Sequence, residues 1–181
     1  MRREPDDLTA RTVGEETQLF SQSESLQSAP TGEPDPIELL WNDHDRIELL
    51  FDEYDGDEGK EAREDLKRIL SECRIHIRLE EEFLHPLVMA EGGPEVRGVL
   101  GESVEEHGEL KKILARLEGG EPGDPAVEQA MTDLETAFEA HLEHEEEHLY
   151  PTVRDILARN DITDLGERML KMRKRLEAGD A

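Results

Sequence analysis

From residue 36 onward, apolar residues recur at steps of three and four, and no stretch alternates with the period of two expected of a half-buried strand. The first stripe is Ile37, Leu40, Trp41, His44, Ile47, Phe51 and Tyr54. It follows Asp35-Pro36-Ile37-Glu38, in which Asp serves as N-cap, Pro takes the first helical position and Glu completes a capping box. It stops at Asp55-Gly56-Asp57-Glu58-Gly59, a turn whose acids lack the spacing of a calcium loop. The second stripe is Ala62, Leu66, Ile69, Cys73, His76, Glu80, Phe83 and Leu87, with Pro86 expected to bend or loosen the last turns and Gly92-Gly93-Pro94 closing the helix. The third carries Val96, Leu100, Ser103, His107, Leu110, Leu114 and Leu117, and stops at Gly119-Gly120. The fourth starts after Asp124-Pro125 and carries Val127, Met131, Leu134, Phe138, His141, Glu145, His148 and Ile156.

Four long helices joined by short Gly/Pro connections predict an all-α fold, an antiparallel up-down-up-down four-helix bundle spanning residues 35–160. A shorter stripe of Leu165, Met169, Met172 and Leu176 predicts a fifth helix, beginning near Thr163, within residues 161–181 and packed on the outside of the bundle. Residues 1–34 show no apolar period and are rich in Ser, Thr, Gln, Glu and Pro, the composition of a disordered tail.

The stripes contain residues that stability alone does not favour. His76 and Glu80, like His141 and Glu145, take core positions where Leu would pack better. A buried carboxylate is costly unless it is paired or bound to metal. His and Glu four apart share one helix face, one turn apart, and so can reach one centre. His44 and His107 interrupt the other two stripes in the same way. In an antiparallel pair of helices, residues equally far from the turn share a height. The midpoint of His44 and His76 is residue 60, that of His107 and His141 is residue 124, and that of Glu80 and His107 falls between Gly93 and Pro94. Each midpoint lies in a predicted loop, so all six side chains converge on one level of the bundle.

The chain also repeats itself. The run from His76 to Pro86 matches that from His141 to Pro151, 65 residues on, at the His, at three consecutive Glu, at a Leu and at the Pro. With His44 and His107, these two His-x-x-x-Glu motifs resemble the hemerythrin-like family, also called the HHE cation-binding domain, over residues 36–157. The resemblance implies a four-helix bundle around two non-haem iron ions with an oxo or hydroxo bridge. His44 and His76 would hold one iron and His107 and His141 the other, with Glu80 and Glu145 bridging both. Mixed imidazole and carboxylate donors suit iron or manganese, whereas zinc sites favour fewer ligands and often sulfur. Oxygen-carrying members of the family place a second histidine one turn from the first on the third helix, where this chain has Ser103 and Lys111. With four histidines, both metals are expected to keep an open position. The expected ligand is a small diatomic or peroxide, in sensing, storage or iron and oxygen homeostasis. A di-iron oxidoreductase, or a protein donating iron to damaged metal centres, is the alternative, so whether the protein is an enzyme stays open.

Other candidates receive plainer roles. His148 continues the fourth stripe and is expected to line the site wall or serve as a spare ligand, while His85 and His144 fall off the stripes and are expected at the surface. Cys73 reads as a small buried hydrophobe, Trp41, Tyr54 and Tyr150 as core or rim, and Glu81, Glu82, Glu146 and Glu147 as solvated faces. Composition changes the picture once more. The 181 residues carry 47 acids against 21 bases, a formal net charge of −26, with 15 arginines and 6 lysines. Such a charge repels nucleic acid and anionic membranes, so neither is an expected partner. Its self-repulsion fades when molar salt shortens the screening length to about 3 Å, which suits a salt-accumulating cytoplasm. The single cysteine and the lack of an apolar leader after Met1-Arg2-Arg3 fit that compartment.

Overall fold

The protein is described by a computed structural model covering residues 34–56, 59–159 and 164–179. The expected tail falls, except for Pro34, outside the described residues, as do two residues of the first turn and the expected start of the last helix at Thr163.

Among the described residues every element is helical: α1 Pro36–Glu53, α2 Lys60–Leu79, α3 His85–Glu91, α4 Pro94–Leu117, α5 Pro125–His144, α6 Tyr150–Arg159 and α7 Leu165–Glu177. Two π turns, Glu80–Leu84 and Glu145–Leu149, join α2 to α3 and α5 to α6 without a break in the helix. Asp35 caps α1 by accepting from the Ile37 and Glu38 amides at 2.8 and 3.1 Å. Asp124 caps α5 through the Ala126 amide at 2.8 Å, with Pro125 at the first helical position.

Neighbouring contacts run from α1 to α2, α2 to α4, α4 to α5 and α5 back to α1, closing a ring. Two apolar clusters fill it. One gathers Ile47, Phe51, Leu66, Ile69, Leu110, Leu114, Leu134 and Phe138, and the other Ile37, Leu40, Leu84, Leu100, Leu149, Val153 and Ile156. Along α1 and α4 the histidines fall between the residues of one cluster and those of the other: His44 lies between Leu40 and Ile47, and His107 between Leu100 and Leu110. On α5 His141 sits at the end of the first cluster, between Phe138 and Leu142, and Leu149 of the second cluster lies in the π turn that follows. The candidate site is therefore a polar layer between two apolar ones.

The π turns correct part of the sequence reading. The stripes continue regular spacing through Phe83, Leu87 and His148. Instead Leu84 and Val88 are buried while Phe83 and Leu87 are only half-buried, and Leu149, Tyr150 and Val153 are buried while His148 is exposed. A π turn holds one more residue than an α turn, so the buried face advances by one position beyond it. Each is followed by a proline, Pro86 or Pro151. Proline has no amide to donate and its ring crowds the carbonyl four residues back. The widened turn accommodates both, with the His85 and Tyr150 amides bonding back to the Glu80 and Glu145 carbonyls.

Helix α7 lies against α1 and α2. Its Gly166 is buried because the Pro34 backbone crosses it: a Cβ there would stand 1.6 Å from the Pro34 carbonyl oxygen. Its Arg173 reaches between α1 and α2, 2.6 Å from Asp43 and in contact with Glu72. This explains why Asp43, off the predicted stripe, is buried.

Candidate metal centre

The structure brings all six predicted residues together, each buried. His44 comes from α1, His76 from α2, His107 from α4 and His141 from α5, while Glu80 and Glu145 open the two π turns. The His44 and His76 ring centroids lie 4.9 Å apart and those of His107 and His141 4.8 Å apart. These are the two pairs that the family resemblance implies, and His76 and His141 stand only slightly farther apart, at 5.8 Å.

The carboxylates lie between the pairs. Glu145 Oε2 is 3.7 Å from His44 Nε2, 3.6 Å from His76 Nε2 and 3.5 Å from His141 Nε2. Glu80 Oε2 is 3.6 Å from His76 Nε2, 3.2 Å from His107 Nε2 and 3.9 Å from His141 Nε2. Ser103 donates its hydroxyl to Glu145 Oε1 at 3.1 Å. Ser103 thus occupies the position one turn from His107 with an acceptor already in place.

Three of the four histidines have a carboxylate on the far ring nitrogen. Nδ1 of His44 lies 2.7 Å from Glu146, that of His141 2.9 Å from Glu106, and that of His107 3.4 Å from Glu81. Such contacts favour a proton on Nδ1 and leave Nε2 facing the layer, as partners of metal-bound histidines do. Glu81 and Glu146, expected as solvated faces, thus have a second role at the site. His144, expected at the surface, is half-buried with Nδ1 3.1 Å from Glu106. The sequence signal for Glu106 is its place beside His107. For Glu81 and Glu146 it is the repeated Glu run after each motif.

Two further residues enter the layer. Tyr150 is fully enclosed, with its hydroxyl 2.9 Å from His44 Nε2, 2.9 Å from Glu80 Oε1 and 3.0 Å from Glu145 Oε2. His85, expected at the surface, is only 8% exposed and stacks on His107 with centroids 5.0 Å apart.

The electrostatics are uneven. Burial opposes charge on His44, but the carboxylates of Glu145 and Glu146 outweigh it and lift the imidazole from 6.5 to about 9. Burial draws His76 down to about 3 and lowers His107. Burial, reinforced by the charge of Glu145, pushes Glu80 well above the usual carboxylate range. Burial would raise Glu145 too, yet His141, His44 and His76 hold it well below that range. Burial also pushes the Cys73 thiol up, so no thiolate competes with the imidazoles.

These residues fit a metal. Both ring nitrogens of His76, and Oε2 of Glu80, are buried without a hydrogen-bond partner, and such orphans are costly in a folded core. The Nε2 atoms of His107 and His141 stand 3.2 Å apart. Two nitrogens on one ion at bonds of about 2.1 Å are separated by about 3 Å when the bonds meet near a right angle. His76, Glu80, His141 and Glu145 offer donor atoms within 4.8 Å of one another, and so do Glu80, His85 and His107. Among the described residues no helix is long and apolar enough to cross a membrane.

Comparison with known proteins follows the same lines. The family model described as the hemerythrin HHE cation binding domain matches residues 35–153. A protein of Nostoc sp. strain PCC 7120 named DNA nickase is 26% identical over 122 residues, 67% of this chain and 34% of that protein. The chain thus spans about a third of the length of that relative. No solved structure matches the chain.

Proposed function

This chain belongs to the hemerythrin HHE cation-binding domain family, and we propose that it is a non-haem di-iron protein. Its role would be to bind or sense a small ligand, oxygen, nitric oxide or peroxide, in oxygen or iron homeostasis. The observation that carries the reading is the buried layer of four imidazoles and two carboxylates, with three imidazoles oriented from behind by Glu146, Glu106 and Glu81. His44 and His76 would hold one iron, His107 and His141 the other, with Glu80 and Glu145 shared between them. Oxygen and nitrogen donors without sulfur favour iron over zinc, with manganese next. When bound, the two irons supply one-electron redox chemistry and a position for a small ligand.

The protein's own part is to orient, enclose and neutralise. Phe138 and Phe51 on one side and Leu84 and Leu149 on the other keep water from the layer. Tyr150 holds a proton within 3.0 Å of both glutamates. A buried proton so placed also favours the second reading, an oxidoreductase acting on peroxide or nitric oxide, because such reductions consume protons. The name of the Nostoc relative does not carry over, since a net charge of −26 opposes contact with DNA.

The short connections and the closed ring of neighbours support an antiparallel up-down-up-down bundle. The acid excess supports a salt-rich cytoplasm as its setting. Anaerobic ferrous loading followed by oxygen, hydrogen peroxide or nitric oxide, read by near-ultraviolet absorbance, tests the reading. Charge-transfer bands should develop with at least one of the three, and a spectrum unmoved by all of them would contradict it.

A further inference from the structure

The two halves of the site are not equivalent, and the difference lies five residues beyond each glutamate. In a regular α-helix a residue five positions on points about 140° away around the axis. The π turn closes its hydrogen bond over five residues and so stacks that residue above the glutamate. The repeat places Tyr150 after Glu145 and His85 after Glu80, and both side chains turn inward. Tyr150 meets His44, Glu80 and Glu145 through its hydroxyl. His85 meets His107 instead, with ring centroids 5.0 Å apart and the rings 24° from parallel. Its Nε2 is buried and has no hydrogen-bond partner among the described residues. The donor atoms of Glu80, His85 and His107 all fall within 4.8 Å of one another.

We propose that His85, the residue that follows the first π turn, is a fifth histidine ligand to the metal that His107 shares with His141. This rests on the two-metal reading above and refines it. An ion held by His107 and His141 would then have three imidazoles. One held by His44 and His76 would have two, leaving it the one to take a small ligand, beside the Tyr150 hydroxyl. A small ligand then binds at one metal rather than at either. Ser103 cannot supply the missing histidine on α4, and the π turn provides it from the neighbouring helix instead.

The test compares wild type with His85→Ala and His85→Phe, the latter retaining an aromatic ring against His107. Each is loaded with iron, oxidised and titrated with azide, and absorbance and iron content are recorded. Wild type is expected to take one azide per two irons. The variants should keep two irons, show shifted charge-transfer bands and take a second azide, with added imidazole returning His85→Ala toward the wild-type spectrum. Loss of one iron from both variants at unchanged helical content also supports ligation. Two bound irons with bands and azide stoichiometry identical to wild type would overturn the assignment. Wild type holding fewer than two irons would instead remove the two-metal reading itself, and this assignment with it.

Discussion

Glu106 lies outside the six candidate ligands, yet its carboxylate is 2.9 Å from Nδ1 of His141 and 3.1 Å from Nδ1 of His144. Glu106→Ala removes the acceptor that fixes the His141 tautomer and ring angle. Loss of such a partner lowers metal affinity by about 10- to 100-fold. The Glu106 side chain is 34% exposed, so solvent screens part of the interaction. The expected loss therefore lies at the lower end, near tenfold or about 1.4 kcal/mol. Glu82→Ala is the matched control, since Glu82 bonds Arg78 at 2.7 Å on an exposed face and meets no histidine. Competition for ferrous iron against a chromophoric chelator, under anaerobic conditions, measures both variants against wild type. Glu106→Ala should weaken binding at one metal and leave the other near its wild-type affinity. Equal affinities in the Glu106→Ala and Glu82→Ala proteins would refute the view that these outer carboxylates hold the imidazoles in place.

Arg173→Met leaves the buried Asp43 carboxylate with Arg46, at 3.1 Å, as its remaining partner, and the lost charge-assisted contact is expected to cost about 2 kcal/mol in denaturant melts; an unchanged midpoint would contradict this. The raised pKa of His44 stabilises the metal-free fold fully below 6.5, and that contribution is lost as pH rises through about 9. Metal-free protein should therefore melt at lower temperature at pH 9 than at pH 6.5 through this group, while metal uptake strengthens over the same range because His44 and Glu80 must release protons to bind. Calorimetric titration in buffers of different ionisation enthalpy reads that release directly, and a heat independent of buffer would count against it. Relief of repulsion among the excess acids should raise the melting temperature steeply toward molar potassium chloride, and a flat salt profile would remove the salt-rich setting without touching the metal site.

Much of this arrangement can be read from the chain because a bundle converts sequence spacing into height. His44, His76, His107 and His141 sit on four stripes at equal distances from three turns, and the structure gathers them in one layer. The stripes fail at the two π turns. Nothing in a three-and-four pattern announces an extra residue, so spacing carries Phe83, Leu87 and His148 inward where Leu84, Val88 and Leu149 are buried instead. Pro86 and Pro151 mark those places, but proline signals a disturbed helix without saying which way the face turns. The same slip hides His85, which regular spacing sends to the surface, and leaves Tyr150 without its central position. Asp43 is lost for a different reason. Its burial is created by Arg173, 130 residues later in the chain, and periodicity within one helix carries no information about a helix laid across it.

If six converging side chains hold two irons, the metal content of the purified protein shows it. Protein expressed with abundant iron and zinc, purified without chelators and analysed for both elements should carry close to two irons per chain. His44→Ala, His76→Ala, His107→Ala and His141→Ala should each carry fewer, with His144→Ala unchanged. One zinc and no iron in the wild-type protein, or equal iron in all of these variants, would contradict the account.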